Sequence, residues 1–84
     1  MKNIQLFDGS FEAQEALDVL TQMVQVKIRY HESKISSLSN EEDIKMRENR
    51  IKLLQKELFE ARNFIEKQSG KITITDQLTL NSLV

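Results

Sequence analysis

The sequence predicts a mainly α fold with a small β part. Two antiparallel helices form a hairpin, flanked by short N- and C-terminal strands (β-α-α-β), and the hairpins self-associate into a helical bundle. Three observations predict this. Gly9 and Gly70, the only glycines, bracket a proline-free stretch rich in Glu, Lys, Gln, Leu and Ala, all good helix formers. Inside it, apolar residues recur at spacings of three and four. Outside it, the period drops to two.

The first element is a strand over 3–7, where "NIQLF" places Ile4 and Leu6 on one face. Asp8-Gly9 then reads as a turn, with Ser10 as the N-cap of a helix over 11–37. In "SNEE", Ser39 and Glu42 have capping-box spacing and open a second helix over 40–69. Glu41, Glu42 and Asp43 set negative charge on the positive end of its dipole. Gly70 reads as its left-handed cap. The link is only a few residues, so the helices must be antiparallel neighbours. Finally, "KITITDQLTL" alternates Ile72, Ile74, Leu78 and Leu80 with polar residues, a strand over 71–80 that can pair with 3–7.

The two helices carry matching seams. Leu17, Leu20, Val24, Ile28, His31, Ile35 and Leu38 line helix one; Ile44, Ile51, Leu54, Leu58, Ala61 and Ile65 line helix two in the manner of a coiled coil. Aligned about the turn, His31 falls opposite Arg47 and Glu48. A polar layer of His31, Arg47 and Glu48 is a known device for fixing register between paired helices. The single histidine therefore reads as structural, and His31→Leu is expected to be tolerated. A packed seam offers neither a cleft nor a second group for acid–base work.

Further apolar residues lie off the seams: Val19, Met23, Val26 and Tyr30 on helix one, and Met46, Leu53 and Phe64 on helix two. Leaving these seven exposed would forfeit on the order of 10 kcal/mol, comparable with the whole stability of a small domain. They are the expected self-association face. Phe59 projects from the polar side of helix two and is a candidate contact for another protein, as are the terminal strands.

Composition narrows the function classes. The 84 residues make one domain, 1–84, near the lower size limit for folding alone. Without cysteine there is neither a disulfide nor a thiolate metal site, so a partner subunit is the expected reinforcement. Twelve basic and thirteen acidic residues nearly cancel, so net charge names no polyanionic partner. Lys45, Lys52 and Lys56 still share one exposed stripe that could grip a nucleic-acid backbone. The plainer reading of that stripe is a solvated face with Glu48–Lys52 and Lys56–Glu60 pairs, and no aromatic is interleaved for stacking on bases. The apolar runs are too short for a membrane span, and "MKNIQLFDGS" lacks a signal-peptide core, so a cytoplasmic protein is expected. Phosphate loops, nucleophile elbows and two-histidine metal motifs are absent, so no catalysis, metal or cofactor is expected.

Taken together, "IQLFDGSF", an "EA" opening a helix, "KIRYHE" and "KITI" resemble a loose set of small bacterial proteins with a strand, a helical hairpin and a closing strand. That resemblance implies a fold and a bacterial origin, but no activity or site residue. In architecture alone the two-helix body resembles Rop, a hairpin that dimerises into a four-helix bundle and binds RNA. No residue of Rop's RNA site can be matched here. The expected function is a non-enzymatic, homodimeric interaction or adaptor module, with a Rop-like nucleic-acid binder as the alternative.

Overall fold

In the computed structural model, residues 1–37, 40–68 and 70–83 are described. The elements run β1 (Lys2–Ile4), β2 (Asp8–Glu12), α1 (Ala13–Ser37), α2 (Glu41–Glu66), β3 (Lys71–Thr75) and β4 (Leu78–Leu80). The helical hairpin is present as expected, with α1 packed along α2. Its seam positions are the covered ones. Leu17, Leu20, Val24, Ile28 and Ile35 of α1 are half-buried, as are Ile44, Ile51, Leu54, Leu58 and Ala61 of α2. Leu38, expected in the same seam, lies outside the described residues.

The helix ends differ from the sequence reading. Ser10 does not cap α1, because it sits inside β2 opposite Thr73. Glu15 Oε1 instead accepts a hydrogen bond from the Glu12 backbone N–H at 3.2 Å, the reach-back half of a capping box. Ser39 lies outside the described residues. The cap of α2 is Asn40, with extended backbone and an Oδ1 that accepts from the Glu42 N–H at 2.8 Å. At the far end Lys67 closes the helix, and its N–H reaches the Phe64 and Ile65 carbonyls. Gly70 is therefore no helix cap. It opens β3 with φ +105°, a value that favours glycine.

The strands differ more. Instead of one ribbon of 71–80 against 3–7, there are two ladders. β2 pairs antiparallel with β3 from Asp8↔Thr75 to Glu12↔Lys71. β1 pairs with β4 from Lys2↔Leu80 to Ile4↔Leu78. Three residues, 5–7, separate β1 from β2, whereas only 76–77 separate β3 from β4. The extra residue acts as a bulge does, breaking the ladder and re-aiming the strand beyond it. Asp8-Gly9 is thus strand rather than turn. Gly9, at φ +141°, takes a backbone conformation that an L side chain rarely adopts.

The break decides what packs. β2 and β3 both contact α1, and Ile72 and Ile74 are half-buried. Phe7, Ile74, Leu20, Met23 and Val24 line one groove between ribbon and helix. Phe7 meets Phe11 edge-on, ring centroids 6.0 Å apart. Beyond the break, every residue of β1 and β4 is exposed, so Leu78 and Leu80 do not pack on the helices as expected. Removing residues 77–84 should therefore leave the melting temperature within a few degrees of the full chain. Removing 71–84 strips Ile72 and Ile74 from α1 and should lower stability by about 2–4 kcal/mol. Thermal melts of the two truncations check this, and equal losses would mean that β4 carries packing its exposure does not reveal.

Candidate functional site

His31 is 5 % exposed, the one buried polar residue among those described. It sits six residues before the end of α1, and Arg47 of α2 faces it. Arg47 Nη1 lies 3.1 Å from His31 Nδ1. A guanidinium can only donate, so Nδ1 accepts and the neutral ring carries its proton on Nε2. The neutral form is also the one its surroundings favour. Burial pushes the His31 pKa below 6.5, and Lys27, Arg47 and Arg50 repel a second positive charge. His31 Nε2 and Arg47 Nε are buried without a partner. Glu48, expected in this layer, is exposed and makes no bond to His31. The layer is therefore a cation and a neutral imidazole, with no carboxylate in it.

A second cluster grows from the same layer. Tyr30 stands edge-on to His31, 5.5 Å between centroids. Three cations approach its ring: Lys27 at 5.1 Å, Arg47 at 5.5 Å and Lys34 at 5.7 Å. Tyr30, expected as one of the apolar residues of the α1 face, is thus also the centre of a cation cluster. The signal was present, since Lys27, Tyr30 and Lys34 follow at spacings of three and four and so share a helix face.

The remaining positions fall as follows. Met23, Val26 and Tyr30 of α1 and Met46, Leu53 and Phe64 of α2 are all exposed, Val26 at 58 % and Phe64 at 60 %, and Val19 is half-buried. The ribbon touches only the margins of this apolar surface. Met23 lines the Phe7 groove, and Phe64 flanks Ile72. Phe59 is 63 % exposed above Gln55, Leu58 and Arg62. Lys45, Lys52 and Lys56 are exposed along α2. The Glu48–Lys52 and Lys56–Glu60 pairs expected there do not close to ion pairs. Among the described residues no helix is long and apolar enough to cross a membrane, and no three His, Asp or Glu side chains gather as a metal site would require.

The geometry changes the expectation for His31→Leu. Arg47 would lose the one acceptor recorded for it, so the single variant should cost about 1–3 kcal/mol rather than be tolerated. Replacing both, as His31→Leu/Arg47→Leu, should restore stability at least to that of the parent, because a buried polar pair exchanged for packed hydrophobes is often neutral or stabilising. The unfolded chain takes up a proton on His31 near pH 6.5, but the folded chain does so only at lower pH. The stability held by neutral His31 is therefore complete above pH 6.5 and lost as pH falls through the folded value. Denaturant melts from pH 7.5 to 5 should show this slope in the parent and a flatter line in the double variant. The chain matches no protein-family model, no curated protein and no solved structure.

Proposed function

We propose that the chain is a self-associating helical-hairpin module, which acts by assembly and contact rather than by chemistry. The observation that carries this reading is the poverty of its own core. Among the described residues only Ala16, His31 and Ile65 are buried, and no large side chain is fully buried. The accessible surface is 6796 Å², against about 5,200 Å² for a compact monomer of this mass. The excess, about 1,600 Å², is roughly twice what each partner gives up in a standard protein–protein interface. A radius of gyration of 15.7 Å, where about 12 Å would suit a compact chain of this length, supports the same reading.

The surplus surface is apolar where a second copy would need it. Val19, Met23, Val26 and Tyr30 form one contiguous face, and Met46, Leu53 and Phe64 form another. A two-helix layer has one uncovered side on each helix, and a second two-helix layer is the simplest cover. Contact with a different protein through Phe59 or the terminal strands would extend such a module without changing its basis.

The nucleic-acid reading keeps one supporting observation: cations gathered round an aromatic ring, at Tyr30, form a surface on which a base could stack. Against it, none of Lys45, Lys52 and Lys56 is among the cations that approach that ring. Sedimentation should give a dimer or larger at about 10 μM, and Val26→Lys/Leu53→Lys should shift it toward monomer. Retention on immobilised RNA that falls steeply with salt and disappears with Lys45, Lys52 and Lys56 changed to alanine would favour the rival. A parent chain that stays monomeric and fully helical up to 100 μM would end the self-association reading.

A further inference from the structure

Helix α1 is divided by charge. Its N-terminal half carries Glu15 and Asp18 and no cation; its C-terminal half carries Lys27, Arg29 and Lys34 against Glu32 alone. Between the two ends lie Val19, Met23, Val26 and Tyr30. Among the described residues none of the three cations forms an ion pair, and no carboxylate lies at ion-pair distance from any of them. Lys27 and Lys34 both approach the Tyr30 ring. At the other end the two acids meet only neutral donors, Glu15 the Glu12 backbone and Asp18 the Gln14 amide.

We propose that a second copy of the chain docks α1 against α1 in antiparallel fashion, about a two-fold axis passing beside Met23 and Val26. This rests on the self-association reading and adds to it which helix meets which, and in what direction. Reversed end to end, the α1 face complements itself. Asp18 and Glu15 lie before the axis about as far as Arg29 and Lys34 lie beyond it, so each acidic end meets a basic end. Between them Met23 and Val26 meet at the centre, and Val19 comes against Tyr30. A two-fold contact requires such a self-complementary surface. A parallel arrangement would instead set Arg29 and Lys34 against their own copies, a juxtaposition that costs several kcal/mol.

The helix dipole does not account for this pattern. It favours acid in the first turn and base in the last, and so explains Glu15 and Lys34. Its influence fades within a turn, leaving Asp18, Lys27 and Arg29 unexplained. Helix α2, of nearly the same length, has no basic residue in its last turn.

The test uses the full chain. Glu15→Lys/Asp18→Lys and, separately, Arg29→Glu/Lys34→Glu should each weaken the dimer about tenfold or more, and an equimolar mixture of the two should recover it. Because Glu15 also caps α1, circular dichroism of each variant accompanies the sedimentation. A second arm does not depend on charge. The chain has no cysteine, so introduced thiols report on proximity alone. Glu15→Cys mixed with Lys34→Cys should give a disulfide-linked dimer under mild oxidation. Neither should link to its own kind, since the axis sets like residues about 28 Å apart along the helix. Efficient linking of Lys34→Cys to itself would show a parallel pair and overturn the proposal. A dimer whose affinity is unchanged by both charge reversals would also overturn it, leaving self-association to the α2 face. A parent chain that is monomeric throughout would remove the proposal together with the reading beneath it.

Discussion

A hairpin of two helices can cover only one stripe of each. That limit governs this molecule. Each helix is about 25 residues long and meets its neighbour along a single line of side chains, so seam positions reach half-burial and few go further. Among the described residues burial is reached only at Ala16, His31 and Ile65. Ala16, a small residue on the helix that β2 and β3 contact, is fully enclosed. Elsewhere the outer sides of the helices are exposed. The ribbon supplies cover over part of α1 and none beyond the break at 76–77.

This limit also shows why the helices were legible in the sequence and the strands only in part. A seam repeating every three and four residues over seven turns has one consistent solution, and the observed His31–Arg47 contact falls where the alignment about the turn puts it. The ribbon offers no such redundancy. Its register depends on a few residues, and one of them, Gly9, carries two meanings. Beside Asp8 it reads as a turn; in the structure it is the strand position opposite Ile74 that tolerates φ +141°. Moving the helix start from 11 to Ala13 follows directly, because the chain cannot enter the helix until the ladder with β3 is complete. Asn40 shows a smaller ambiguity: with Ser39 beside it, two good capping residues were adjacent, and spacing to Glu42 pointed to the first. The polar layer was half legible. Position along the seam brought Arg47 to His31, but not the side of the helix to which Glu48 turned, nor the ring of cations that spacing alone could have placed around Tyr30.

The His31–Arg47 layer joins the two problems, seam and surface. Inside, it interrupts the hydrophobic seam with a pair that hydrogen-bonds only at the correct alignment, a register device that costs burial of polar atoms, two of them unpaired. Outside, the same Arg47 leans over Tyr30 on the exposed face, beside Lys27 and Lys34. Positive charge is thereby concentrated at one end of α1, where Glu32 is the one acid of that half of the helix. Neutral His31 follows first from its burial and then from that concentration, since protonation would add another cation to the group.

When the second layer of a fold comes from another molecule, folding and association cease to be separate equilibria. A hairpin with so thin a core has little free energy to hold it alone, and covering the α1 face would add burial of Val19, Met23, Val26 and Tyr30 to whatever the seam provides. The melting temperature of such a chain rises with its own concentration, and the effect of a substitution on the exposed face reads as a loss of stability even though no contact within the chain is broken. The same coupling bears on function. A module that is well folded only when paired presents its outward surfaces, Phe59 and the lysine stripe among them, in duplicate and at a fixed spacing. Any partner that needs both copies then binds the assembled form far more tightly than the single chain. In the proposed dimer, weak individual contacts would become effective through duplication and geometry rather than through the depth of any pocket.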